Sequence, residues 1–220
     1  MKPMVSKIRI DGIYDKRTLN FLEEKGNFHV AFDTRPKSLN YIQEYRLIDM
    51  LKGCNSRSIT LIIDSFSKEM ISRCIGEIGK VFSGTISLEV RGLLPFNLNE
   101  LKTPFAVDYE LFEGREDTFR GDYFKGYSID YLYLDRLYHN GKFGDWIQKF
   151  FISNRDISLN MEVNIRMDWD SDIFPSLSEY FDFATYSLPI GDKVETCYRN
   201  ADLRKIENNI TFVKKHLSLS

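Results

Sequence analysis

Short apolar, β-branched segments alternate along this chain with longer stretches in which apolar residues recur every three or four positions. The first kind predicts strands at 5–10 (VSKIRI), 28–32 (FHVAF), 58–63 (SITLII), 85–90 (TISLEV), 105–111, 129–134 (IDYLYL), 158–165 (SLNMEVNI) and 181–186 (FDFATY). The second kind predicts helices at 16–25, 43–52, 67–80, 145–151, 171–180 and 201–217. Gly26, just past the first helix, is a stop signal, and Ser67 at the head of the third is a start signal. Two connections are weakly marked. Pro95 and Pro104 bracket a short Asn/Leu-rich stretch, and 112–128 is charged and broken by Gly.

Strands that alternate with helices imply βα units and a parallel sheet. Eight such units, spaced by roughly 25 residues, predict a (βα)8 TIM barrel. The whole chain, 1–220, is read as one barrel domain near the small end of the barrel size range. A doubly wound open sheet is the structural alternative.

Charge narrows the function. With 30 basic and 32 acidic residues the net charge is -2, which gives no basic footprint for nucleic acid. No run approaches the ~18 apolar residues that span a bilayer, and Met1 to Lys7 contains no signal-peptide core. A cytoplasmic protein with neither nucleic-acid nor membrane partners is expected. Cys54, Cys74 and Cys197 form no CxxC pair, and His29, His139 and His216 show no metal-ligand spacing. Free thiols are expected, with no metal and no cofactor. The chain holds 17 Phe and 12 Tyr but only 13 Gly, few for a barrel that cradles phosphate in glycine-rich loops.

Two patches resemble the phosphoribosylanthranilate isomerases of tryptophan biosynthesis. Lys7-Ile8-Arg9-Ile10-Asp11-Gly12-Ile13, followed by Val30-Ala31-Phe32 and by 35–42 (RPKSLNYI), is similar to that family's opening K-I-C-G-I-T and its later G-F-x-F-x-x-x-S-P/K-R-Y-I. Tyr131-Leu132-Tyr133-Leu134-Asp135 resembles the L-L-L-D strand, and 141–146 (GKFGDW) resembles G-K-T-F-D-W. The resemblance implies a (βα)8 barrel, a small sugar-phosphate substrate, an Amadori rearrangement of an aminoaldose to an aminoketose, and a monomer or homodimer.

It also implies roles for particular residues. Asp11 stands where the family's general base, a Cys, ends the first strand; a partly buried carboxylate can do the same work. Asp135 stands where the family's general acid ends the sixth. Two carboxylates in unlike environments make an acid/base pair. The plainer alternatives are that Asp11 makes a turn with Gly12 and that Asp135 pairs with Arg136 or Lys142. Asn40 replaces the substrate-binding Arg before Tyr41, Arg35 lies in the same loop, and Arg91 follows the fourth strand near the family's His. Tyr14, Tyr138, Trp169 and Tyr186 follow expected strand ends and either stack on a ligand or simply cover the barrel top.

The departures fall in the last two loops. The family's A-G-G-L and S-S-G-V-E turns give way to 164–169 (NIRMDW) and 185–191 (TYSLPIG). Asp168 and Asp170 would repel a phosphate, with Arg166 and Lys193 as partial compensation. Two functions therefore remain open: a sugar-phosphate isomerase, or a repurposed barrel that binds a ligand or partner.

Overall fold

The computed structural model describes residues 7–26, 28–113, 121–153, 161–170 and 183–216. Eight parallel strands close into a barrel in chain order. They are β1 (Lys7–Asp11), β2 (His29–Asp33), β3 (Ser58–Ile63), β4 (Thr85–Val90), β5 (Phe105–Asp108), β6 (Phe124–Asp130), β7 (Glu162–Arg166) and β8 (Thr185–Pro189). Pairing of β1 with β8, from Lys7↔Thr185 to Asp11↔Pro189, seals the cylinder. The helices outside are α1 (Lys16–Lys25), α2 (Glu44–Leu51), α3 (Lys68–Gly79), a short α4 (Tyr109–Phe112), α5 (Tyr131–His139), α6 (Phe143–Ser153) and the closing α7 (Leu203–His216). The helix expected at 171–180 lies outside the described residues. A small antiparallel pair, β9 (Glu195–Cys197) and β10 (Asn200–Ala201), follows β8 and was not foreseen.

Local chemistry explains the element ends. Asp15 caps α1 by accepting from the Thr18 backbone N–H at 2.8 Å, and Ser67 caps α3 through Met70 N–H. Gly12 has φ +79, and a Cβ there would lie 2.5 Å from Asn40 Nδ2. The missing side chain lets Asn40 pass over β1. Gly126 has φ +151, and its Cβ would lie 1.8 Å from the Glu162 carbonyl oxygen, so only glycine lets β6 approach β7 this closely.

The strands alternate inward and outward positions, with one irregularity where β6 shifts register against β5. Ile8, Ile10, Val30, Phe32, Leu61, Leu88, Val107 and Ile165 point outward and are buried beneath the helices. The inward positions are largely polar, for example Arg9, Asp11, Thr60, Glu89, Ser128, Asn164 and Ser187, all buried. Barrel interiors are usually packed with branched aliphatic side chains. Here the apolar core is a ring between sheet and helices, and the lumen is a polar shaft. Tyr109, Tyr127, Trp146 and Phe150 thicken that ring, with neighbouring ring centroids 5.2–5.9 Å apart.

Three strands differ from expectation: the eighth, expected at 181–186, runs from Thr185 to Pro189, and the fifth and sixth end early. The sixth was expected at 129–134, but β6 ends at Asp130 and a helix starts at Tyr131. Asp130 causes the switch: its Oδ1 accepts from the Leu132 N–H at 2.9 Å, an N-cap. The fifth strand stops at Asp108, which caps α4 through Glu110 N–H in the same way.

Candidate functional site at the barrel mouth

The C-terminal ends of the strands form the mouth where barrels of this kind carry their chemistry. Asp11, the last residue of β1, is buried there. Its Oδ1 accepts from Arg9 Nε at 2.6 Å, and its Oδ2 accepts from Arg9 Nη2 at 2.9 Å and Arg91 Nη2 at 2.8 Å. Glu89, fully buried on β4, takes Arg9 Nη2 and Arg91 Nε, both at 2.5 Å, and the Ser128 hydroxyl at 2.8 Å. Arg166 at the end of β7 pairs with Asp108 at 2.8 Å and faces Asp130 at 3.7 Å and Glu89 at 3.8 Å. The mouth thus sets the guanidiniums of Arg9, Arg91 and Arg166 against the carboxylates of Asp11, Glu89, Asp108 and Asp130.

The electrostatics follow from this pairing. Burial alone would raise the Glu89 pKa, but Arg9, Arg91 and Arg166 hold it well below the usual carboxylate range. Asp108 goes the other way: burial raises it, and Arg166 offsets this only in part. Burial likewise opposes charge on Arg9, but Asp11 and Glu89 keep its guanidinium protonated.

Asp135 is not part of this site. It sits on α5, half-buried, with its Oδ1 3.2 Å from His139 Nδ1 one turn away. The carboxylate that ends the sixth strand is Asp130, whose side chain is 34% exposed and therefore open to a solute. Arg35 is spent on Asp33 at the end of β2, through Nε at 2.9 Å and Nη2 at 2.7 Å. Asn40 Nδ2 donates to the Ile190 carbonyl at 2.5 Å and ties the loop after β2 to the loop after β8. Arg91 and Arg166 do face the mouth. Among the aromatics, Tyr14 bonds Glu195 at 2.6 Å and Trp169 Nε1 donates to the Pro189 carbonyl at 2.7 Å. Tyr138 is exposed on α5, and Tyr186 points outward into the apolar ring, so neither reaches the mouth.

Several backbone N–H groups of the loops after β7 and β8 are already committed within the protein. In their described part, Met167 N–H donates to Ser187 O, Ile190 N–H to Asp11 O, Val194 and Glu195 N–H to Gly191 O, and Trp169 N–H to Asp168. Lys193 is tied to Asp170 at 2.5 Å. No group of three His, Cys, Asp or Glu among the described residues is placed to hold a metal ion. No described helix is long and apolar enough to cross a membrane.

Sequence reasoning missed Arg9, Glu89, Asp108 and Asp130. The available signal was period-two polarity at strand ends, as in Arg9-x-Asp11 and Glu89-x-Arg91.

The fold and the mouth define a (βα)8 barrel with a charged, self-paired top. No protein-family model and no curated protein sequence matches the chain. Among solved structures it shares the fold of phosphoribosylanthranilate isomerases. That from Thermus thermophilus is 12% identical, with a TM-score of 0.61 over 94% of this chain and 99% of its own. That from Thermotoga maritima is 15% identical, with a TM-score of 0.62 over 97% and 100%. That from Pyrococcus furiosus is 10% identical, with a TM-score of 0.62 over 96% and 99%.

Proposed function

We propose that this chain is a phosphoribosylanthranilate isomerase-like barrel that has given up the Amadori rearrangement and binds a small, unphosphorylated polar molecule at its mouth. The observation that carries this reading is the state of Asp11. Both of its oxygens are taken by three guanidinium hydrogen bonds. Three of the carboxylate's roughly four acceptor sites are thus committed to the protein's own arginines, which leaves little of it to face a substrate. The charge balance points the same way. Four carboxylates outnumber three guanidiniums, with Asp168 in the loop beyond, where Lys193 neutralises Asp170. A phosphate dianion would meet net repulsion there. Arg91, 16% exposed, can donate to a ligand, and Asp130 can accept from one. A cytoplasmic protein acting as a monomer or homodimer fits this reading, and one solved neighbour is described as monomers generated from a dimeric isomerase.

The second reading, an active isomerase, is favoured by one observation. Asp130 ends β6 with an open side chain, so Asp11 as base and Asp130 as acid would complete a pair, with Arg91 and Arg166 against the substrate. A solved neighbour holds a reduced deoxyribulose 5-phosphate compound. Fluorescence of phosphoribosylanthranilate separates the two. With the purified chain it should decay at the uncatalysed rate. Faster decay that disappears in both Asp11→Ala and Asp130→Asn would establish the isomerase instead.

A further inference from the structure

The opposite end of the barrel holds a second, independent cavity of about 320 Å³ among the N-terminal ends of the strands. Its walls are hydroxyl-rich: Ser58, Thr60, Thr85, Ser87 and Thr185 all line it. These groups are already ordered. His29 Nε2 lies 2.8 Å from Thr60 Oγ1, which lies 2.9 Å from Ser87 Oγ. Lys7 and Lys125 bring two ammonium groups to the rim against one carboxylate, Glu162. Two residues deeper than Lys7 on the same face of β1, Arg9 lines the cavity as well. Its bonds to Asp11 and Glu89 use only Nε and Nη2. Asn164 also lines it, and its buried Oδ1 has no hydrogen-bond partner among the described residues.

A dry cavity of ~150 Å³ takes a benzene. About twice that room, lined by polar groups, suits a solute of roughly a dozen heavy atoms. The hydroxyl walls call for a hydroxylated molecule, and the excess of ammonium over carboxylate calls for an anion. From this geometry we infer that the N-terminal end of the barrel is a binding site for a small hydroxylated anion of monosaccharide size, a sugar acid or sugar phosphate. The site opens at the other end from the mouth, with Arg9 between the two, and stands whether or not the mouth is catalytic.

Calorimetric titration of the whole chain tests this, with gluconate and ribose 5-phosphate as probes for the two anion types and glucose as the uncharged control. Saturable binding of at least one anion, about ten-fold or more tighter than glucose, is the expected result. Thr60→Val, which keeps the shape but removes a hydroxyl, should weaken it about ten-fold. Lys7→Ala with Lys125→Ala, both at the rim, should do the same. Asp130→Asn, at the other end, should leave it unchanged. Circular dichroism of each variant separates lost binding from lost folding. No saturable heat with either anion up to about 10 mM, equal binding of glucose, or binding indifferent to the Thr60 and Lys7/Lys125 variants would each overturn the inference.

Discussion

Replacing Glu89 by alanine removes one acceptor from a closed set of charges, and the consequence can be worked through from the contacts. Glu89 is fully buried and takes hydrogen bonds from Arg9, Arg91 and Ser128. Its loss leaves Arg9 and Arg91 sharing Asp11 alone and orphans a buried hydroxyl. Breaking a buried ion pair from one side costs about 3–5 kcal/mol, because the remaining charge stays desolvated. For a domain of this size, ~1 kcal/mol moves Tm by about 2–4 °C, so Glu89→Ala should lower Tm by roughly 6–20 °C. Removing one charge of each sign should act differently. Arg9→Met with Glu89→Leu leaves Asp11 paired with Arg91 and Asp108 with Arg166. Its stability should lie within about 2 kcal/mol of the parent, far better than the sum of the two single changes. Urea melts of the parent, Arg9→Met, Glu89→Leu and the double variant close the cycle. The reasoning fails if Glu89→Ala costs less than about 1 kcal/mol, or if the double variant is no better than additive.

Two further outcomes follow from the same geometry. Gly126→Ala, which forces a Cβ against the Glu162 carbonyl at positive φ, should cost about 3 kcal/mol or more, visible in thermal melts or as insoluble expression. His29, whose pKa is lowered to about 3 by burial and by the nearby Arg9 and Lys7, favours the neutral ring in the folded state. The unfolded chain therefore binds the extra proton first. Stability from this residue is full above about pH 6.5 and declines as the pH falls from there toward 3, so the urea midpoint of His29→Gln should change less between pH 7 and 5 than that of the parent.

The barrel itself was legible because outward strand positions and helix faces repeat with different periods, and closure needs only that there be eight such pairs. Asp11 was legible as a strand end for the same reason. Asp135 was misplaced because Tyr131-Leu132-Tyr133-Leu134 is apolar enough to read as strand. The capping of Leu132 N–H by Asp130 decides otherwise, and Tyr131, Leu134 and Tyr138 recur at helical intervals. The loop arginine and asparagine were found, but not what occupies them. Arg35 is held by its own strand end, and Asn40 crosses to Ile190 only because Gly12 has no side chain. The Arg9–Glu89 bond joins residues far apart in sequence. Which inward charges meet is set by how the cylinder closes, and no local pattern carries that.

The charged mouth also divides along a seam. Arg9, Asp11, Glu89 and Arg91 all belong to the first four strands or the residue after them and neutralise one another there. Asp108, Asp130 and Arg166 belong to β5, β6 and β7 and pair among themselves. Among the described residues Glu89 makes the contacts across, to Ser128 and Arg166, and the Arg91 charge acts on Asp108 as well. The first half brings two guanidiniums for two carboxylates and the second brings one for two, so a chain cut between β4 and β5 would yield one piece whose buried charges are matched and one left with a surplus carboxylate.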